Sequence, residues 1–376
     1  MTTLDSSTTR LMEYIKEVLP WAHGHQLKAF TTFVAAILDK QTGTQAALAR
    51  TVGNQEAATK RLSRLMHNER LRPHALADAV LAQALRQLPR TGTVRLAIDW
   101  TIEGTQYLLV VSLVTGGRAV PIYWRASDQA VLKGRMRRYE MAVIKRVLRQ
   151  GRRRIGRRRL RVTADRGFAD VALCDLLEVC ETIYIIRVKS STKVYLDGEW
   201  RQLQSLRFVS NARQRNVGRV WYCASSPHTL WVGMSRARNA AGEWEVWYLL
   251  SNGAARAGQM ASEYARRFGC EQGFRDVKRR LGFADARVPQ ITAWSRFFAL
   301  FAIALLVLAT LGAQLLLGGA GRARELLRRV ASRRRGRCEL SVVSAILSLL
   351  AQDRSLYQHL LGRTKLNLES RLANVS

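Results

Sequence analysis

The sequence predicts a mixed α/β chain with helical regions at both ends. Between residues 93 and 189, short runs rich in Val, Ile, Leu and aromatics alternate with segments of helical periodicity. Residues 8–40 and 338–362 carry helical spacing. At 376 residues and 48% hydrophobic, the chain can bury a large core, which excludes global disorder.

Residues 8–40 place Leu11, Tyr14, Ile15, Val18 and Leu19 on one helical face. Residues 44–66 (TQAALARTVGNQEAATKRLSRLM) resemble a helix-turn-helix. Ala49 permits a close helix approach, and Gly53 supplies the left-handed residue that the turn needs. Leu48, Val52 and Leu62 form a small core, and Asn54 can cap the second helix. That helix would present Gln55, Thr59, Lys60 and Arg64 outward, a set suited to DNA. An ordinary helical pair is the alternative. These features set residues 1–90 apart as a helical DNA-binding domain.

Residues 93–102, 106–115 and 118–126 read as three antiparallel strands joined by short Gly-containing turns. A helix over 137–150 and a basic loop (Arg152–Arg154, Arg157–Arg159) follow. Next come a strand at 160–165, a helix at 169–180 and a strand at 182–189. Three strands, helix, strand, helix, strand is the order of the ribonuclease-H-like fold. This predicts a catalytic core over 91–189 and 253–320.

Residues 190–252 interrupt that order with the short runs KVYL, RVWYCA, TLWVGM and EVWYLL, read as an inserted β subdomain. One helix is expected from near Ala257 to about Arg280. Residues 297–317 carry no charge and match a membrane span in length. Arg-rich flanks on both sides give no orientation bias, so the segment reads as buried core, one helix or two broken near Gly312. Residues 321–376 would hold a basic linker or arm (Arg322–Arg337) and C-terminal helices.

Lys and Arg total 61 against 28 Asp and Glu, a formal charge of +33. A chain this basic repels itself unless a polyanion neutralises it, and nucleic acid is the commonest such partner. Five scattered cysteines without a C-x-x-C pair, and no signal peptide, fit a reduced cytoplasmic protein with no zinc site. His23 and His25 lack partner ligands in sequence and read as surface residues.

The segment Tyr264–Lys278 puts one carboxylate among bases. On a single helix, Tyr264, Arg267, Glu271 and Lys278 fall within roughly a 60° arc. Asp99 lies in an apolar strand, where a carboxylate is costly unless paired or metal-bound. Asp165 ends another apolar strand, where sites form in open α/β sheets. Alone, each has a bland reading as a turn, cap or salt-bridge residue. Together, three acids could hold two Mg²⁺ or Mn²⁺ ions for phosphoryl transfer, with the bases gripping phosphates.

With these residues in view, the chain resembles bacterial insertion-sequence transposases of the DDE class. It is most similar to the insertion-sequence-four family, with its Y-x2-R-x3-E-x6-K signature. Tyr264, Arg267, Glu271 and Lys278 match that spacing, Asp99 in AIDWT matches the first acidic motif, and Asp165 in TADRGF the second. The resemblance covers about residues 90–300. It implies two divalent ions on Asp99, Asp165 and Glu271, and backbone contacts from Tyr264, Arg267 and Lys278 to the transposon end. It also implies that Trp247 stacks on a flipped base during hairpin formation. A core role for Trp247 is the alternative, and Trp100 is assigned no role. The implied activity is cut-and-paste transposition by a homodimer on inverted-repeat ends and target DNA, without a membrane. A DNA-binding regulator or inactive derivative is the other reading.

Overall fold

A computed structural model describes residues 6–115, 118–155, 159–209, 211–239, 242–315, 342–360 and 366. The expected helix over 8–40 is two helices, α1 (Ser6–Val18) and α2 (Gly24–Lys40). Pro20 separates them, because proline disfavours helical geometry in the residue before it and has no N–H to give. Two further helices, α3 (Gln45–Arg50) and α4 (Gln55–His67), form the expected pair. Gly53 adopts φ +88° in the turn. Asn54 caps α4, its side chain accepting from the Ala57 N–H at 3.1 Å. Helix α5 (Pro73–Arg86) starts with proline in its first turn, where a missing N–H costs nothing.

The next elements are β1 (Val94–Glu103), β2 (Gln106–Thr115), β3 (Arg118–Asp128), α6 (Gln129–Leu132) and α7 (Met136–Ile155). After them come β4 (Leu160–Ala164), α8 (Val171–Val179) and β5 (Ile183–Val188). Helix α7 outruns its expected end, so Arg152–Arg154 occupy its last turn instead of a loop. Cations there oppose the negative end of the helix dipole. Residues 157 and 158 lie outside the described residues.

The inserted segment contributes β6 (Lys193–Leu196), β7 (Glu199–Gln202), β8 (Gln214–Tyr222), β9 (His228–Arg238) and β10 (Trp244–Ser251). These strands continue the same sheet, in the order β3-β2-β1-β4-β5-β10-β9-β8-β6-β7. β1, β4 and β5 pair in parallel, and β10 pairs antiparallel with β5, from Tyr248↔Val188 to Ser251↔Ile185. An open β5 edge would leave unpaired N–H and C=O groups, which β10 satisfies. The short, polar β7 has no signal in the sequence.

The chain then forms α9 (Ala257–Ala265), α10 (Phe268–Arg275), a π turn (Asp276–Arg280), α11 (Ile291–Leu315) and α12 (Val342–Gln352). The expected continuous helix over 257–280 is therefore broken at Arg266–Arg267. Helix α10 lies against the strand backbone. A Cβ on Gly273 would come within 2.2 Å of the Ala119 carbonyl oxygen, and one on Gly269 within 3.3 Å of the Arg118 carbonyl carbon. Ala97, Val114, Ala119 and Cys270 form the small apolar cluster beneath it.

Helix α11 is one unbroken helix, long and apolar enough to cross a membrane, yet 83% of its most apolar window is buried inside the protein. It also holds polar ties. Arg296 donates to the Met66 and Leu71 carbonyls at 2.8 and 2.7 Å, satisfying the end of α4. Tyr14 donates to Gln87 at 3.2 Å, and Gln87 to Thr310 at 3.2 Å. Phe283 packs on Trp294 and Phe301 with ring centroids 5.5 and 5.0 Å away. Just before it, Gly282 (φ +80°) meets Gly43 backbone to backbone: a Cβ on Gly43 would lie 2.1 Å from the Gly282 oxygen. The basic run 322–337 lies outside the described residues.

Candidate active site

Parallel pairing of Ile98 with Ala164 brings the strand ends of β1 and β4 together. Asp99 and Asp165 each follow that pair by one residue, so they sit side by side on adjacent strands. Each carboxylate first serves its own backbone: Asp99 accepts from the Trp100 N–H at 3.0 Å, Asp165 from the Arg166 N–H at 2.7 Å. Glu271 comes from the first turn of α10, over the same sheet face.

One guanidinium gathers all three. Arg267 Nη2 lies 3.2 Å from Asp99 Oδ2 and 3.7 Å from Asp165 Oδ2, and Nη1 lies 3.6 Å from Glu271 Oε1. Arg267 is 5% exposed, whereas the Glu271 side chain is 51% exposed. Tyr264 is buried and donates from its hydroxyl to Asp165 at 3.1 Å. Lys278 turns away, pairing with Glu103 and donating to the Ile102 carbonyl at 3.3 Å. The expectation that the four side chains project in one direction from a single helix is thus corrected. The break at Arg266–Arg267 sends Tyr264 and Arg267 inward and leaves Glu271 at the surface.

The electrostatics follow from burial. Burial pushes the Asp99 carboxyl above its usual range, opposed by Arg267 and the Trp100 N–H and aided by Asp165 and Glu271. Burial pulls Arg267 down, but Asp99, Tyr264 and Asp165 outweigh it and the net shift is upward. Burial raises the Tyr264 hydroxyl. With all ionised, three carboxylates face one guanidinium, leaving two negative charges uncompensated within the group.

Among the described residues, no group of three or more His, Cys, Asp or Glu is arranged to hold a metal ion as it stands. The donor set nonetheless fits a hard divalent cation, since it is all carboxylate oxygen and carries surplus negative charge. The contacts to Arg267 are long, and its buried Nε finds no acceptor among the described residues. His23 and His25 stack on each other with centroids 5.9 Å apart.

Trp247 lies behind this centre, 5% exposed, in a cluster with Ile185, Leu249, Met260 and Tyr264. Its ring meets Tyr264 edge-on at 5.2 Å and half-exposed Phe268 at 5.6 Å, and its Nε1 donates to Glu245 at 2.6 Å. Trp100 points to the opposite face, donating to Glu140 of α7 at 2.8 Å. On α4, Gln55, Thr59, Lys60 and Arg64 are all exposed, with Lys60 paired to Glu56.

Sequence reasoning missed two buried acids that position the site. Glu263, next to Tyr264, receives Arg95 at 3.2 Å and Arg161 at 3.5 Å. Arg95 and Arg161 are register partners on β1 and β4. Two arginines on one inner face were a legible request for an acid. Asp276 holds Arg118 at 3.3 Å and Arg280 at 3.1 Å just after α10.

Residues 130–307 match the family model described as the transposase DDE domain. The matched span takes in Asp165, Trp247, Tyr264, Arg267, Glu271 and Lys278 and stops short of Asp99, which Arg267 joins to it in space. The match supports a transposase of the DDE class. No curated protein matches the chain.

Proposed function

We propose that this chain is a DNA transposase of the insertion-sequence-four type, acting by cut-and-paste from a ribonuclease-H-like core. The convergence of Asp99, Asp165 and Glu271, from β1, the end of β4 and α10, on Arg267 carries the reading. The net charge of +33 supports a DNA partner, and exposed Gln55, Thr59, Lys60 and Arg64 on α4 suit recognition of the element's ends. Asp99, Asp165 and Glu271 would hold two Mg²⁺ or Mn²⁺ ions. Such ions supply an activated oxygen and charge stabilisation for phosphoryl transfer.

The chain's own groups set the geometry. Arg267 holds the carboxylates together, and Tyr264 orients Asp165 through its hydroxyl. Lys278, near the strand end, would meet the DNA backbone, and Trp247 would receive a flipped base once its cluster opens. A homodimer would pair two ends, form hairpins and join them to target DNA.

The test is Mg²⁺-dependent cleavage of end-containing DNA by Asp99→Ala, Asp165→Ala and Glu271→Ala. Cleavage should vanish while DNA binding persists. Normal cleavage by any of them would remove that residue from the centre. Steep, salt-dependent binding without cleavage by the parent chain would favour a regulator instead.

A further inference from the structure

The sheet carries a second chemical feature on its Asp99 face, at the far edge. Directly paired residues in neighbouring strands point to the same face. The pairs Ala97↔Thr163, Thr163↔Ile185, Ile185↔Ser251, Ser251↔Trp231 and Trp231↔Arg219 carry that face outward to β8. Trp221, two residues past Arg219, pairs with Tyr195 of β6, and Tyr195 with Trp200 of β7. The rings of Tyr195 and Trp221 stack with centroids 5.1 Å apart and planes 16° from parallel, and Trp200 joins Tyr195 at 5.6 Å. Trp221 is 51% and Trp200 40% exposed.

Core packing does not account for this cluster. The opposite face of the same strands buries Val194 and Val220 and anchors them. Exposed contiguous aromatics on a folded chain mark an interaction site. The charges beside the rings choose its partner. Lys193 and Arg219, both exposed, lie on this face, while Glu199 alternates to the other. Flat π surfaces flanked by cations, with no acid at these positions of β6, β7 and β8, match nucleobases joined by phosphates. A second copy of this chain would bring like charges together across a symmetric contact.

We infer that Tyr195, Trp200 and Trp221 form a stacking platform for unpaired bases of a DNA strand, separate from the acidic centre. Duplex DNA hides its base faces, so the platform discriminates for single-stranded segments.

The test is equilibrium binding of the full chain, without divalent metal, to single-stranded DNA, to an abasic strand of equal length and to duplex. Omitting metal separates this outcome from any failure of cleavage. Trp221→Ala should weaken binding of the intact strand by roughly 5- to 150-fold, the effect of losing one stacked base. It should leave abasic and duplex binding unchanged, and Trp221→Phe should retain most of the affinity. Trp200→Ala repeats the measurement if Trp221→Ala fails to fold. Unchanged affinity for the intact strand, or an equal loss on the abasic strand, overturns the inference. So does a variant that binds DNA normally but no longer self-associates, since a second copy would then occupy the face.

Discussion

Arg267 Nη2 stands 3.2 Å from Asp99 Oδ2, a contact between positions 168 residues apart in the chain. It joins the break between α9 and α10 to β1, and no other cation among the described residues pairs with Asp99. Arg267→Ala would leave a largely buried carboxylate without its partner. Breaking buried pairs costs about 3–5 kcal/mol, and partial exposure of Asp99 lowers this to about 2–4 kcal/mol. Chemical denaturation checks the loss. A second readout is the melting temperature with added Mg²⁺. An ion held by the same carboxylate oxygens would compete with the guanidinium, so on the proposed reading it should stabilise the variant more than the parent. An equal rise in both would show that Arg267 and the ion do not share the site.

Gly273 is the position where α10 touches bare backbone. Gly273→Ala would push the helix off the Ala119 carbonyl, because neither main chain can yield locally. The expected destabilisation is about 1–3 kcal/mol, with cleavage lost as Glu271 shifts. Gly269→Ala, with 3.3 Å to its nearest neighbour, should cost less. Calorimetry and a cleavage assay on both variants test the ordering, and a reversed order would contradict the close approach.

Asp276 gives a pH signature away from the acidic centre. Burial raises its pKa above the usual value against the pull of Arg118, Arg280 and Arg275. A carboxyl raised on folding contributes stability below its unfolded pKa and loses it as pH rises through the folded one. Asp276→Asn removes that loss. The variant's stability relative to the parent should therefore increase as pH rises from about 4, the usual unfolded value, through the raised folded one. Matched unfolding curves across this range test the sign, and a decrease would mean that the three arginines overcompensate burial.

Trp247 supports the site from behind before any DNA arrives. Trp247→Ala should cost about 3–5 kcal/mol by emptying the space between Tyr264, Met260 and Leu249. Trp247→Phe should keep most of that stability. Phe can still stack on a base, so Trp247→Phe should keep hairpin yield, whereas Trp247→Leu, compared at a temperature where it is fully folded, should lose it. Normal hairpin yield in the Leu variant would confine Trp247 to packing.

The strands of the core were legible because β-branched runs and turn residues are local signals. Asp99 and Asp165 were legible because acids are out of place in apolar strands. The break before α10 was not. Ala265-Arg-Arg-Phe268 contains no proline and only weak punctuation, and the bend arises from contacts distant in sequence. Arg267 is drawn to the acids, while Gly269 and Gly273 settle on β3. Continuation of the sheet through β10 was equally hidden, since edge pairing depends on which strand lies open in three dimensions. The apolar character of α11 was plain from composition, but whether it formed one helix or two was not, and its burial depended on partners across the whole chain, Met66, Leu71 and Gln87 among them.

The meeting of Gly43 and Gly282 has a mechanical consequence. Gly43 lies two residues before α3, and Gly282 four residues after Lys278. With no side chain between them, main chain meets main chain there, and this contact joins the Arg296 tie in fixing the reach from the exposed face of α4 to Asp99. DNA read by α4 would meet the acidic centre at a fixed number of base pairs, as on a ruler with no adjustable joint. Surface substitutions could then change which sequence is read without changing how far away the strand is cut.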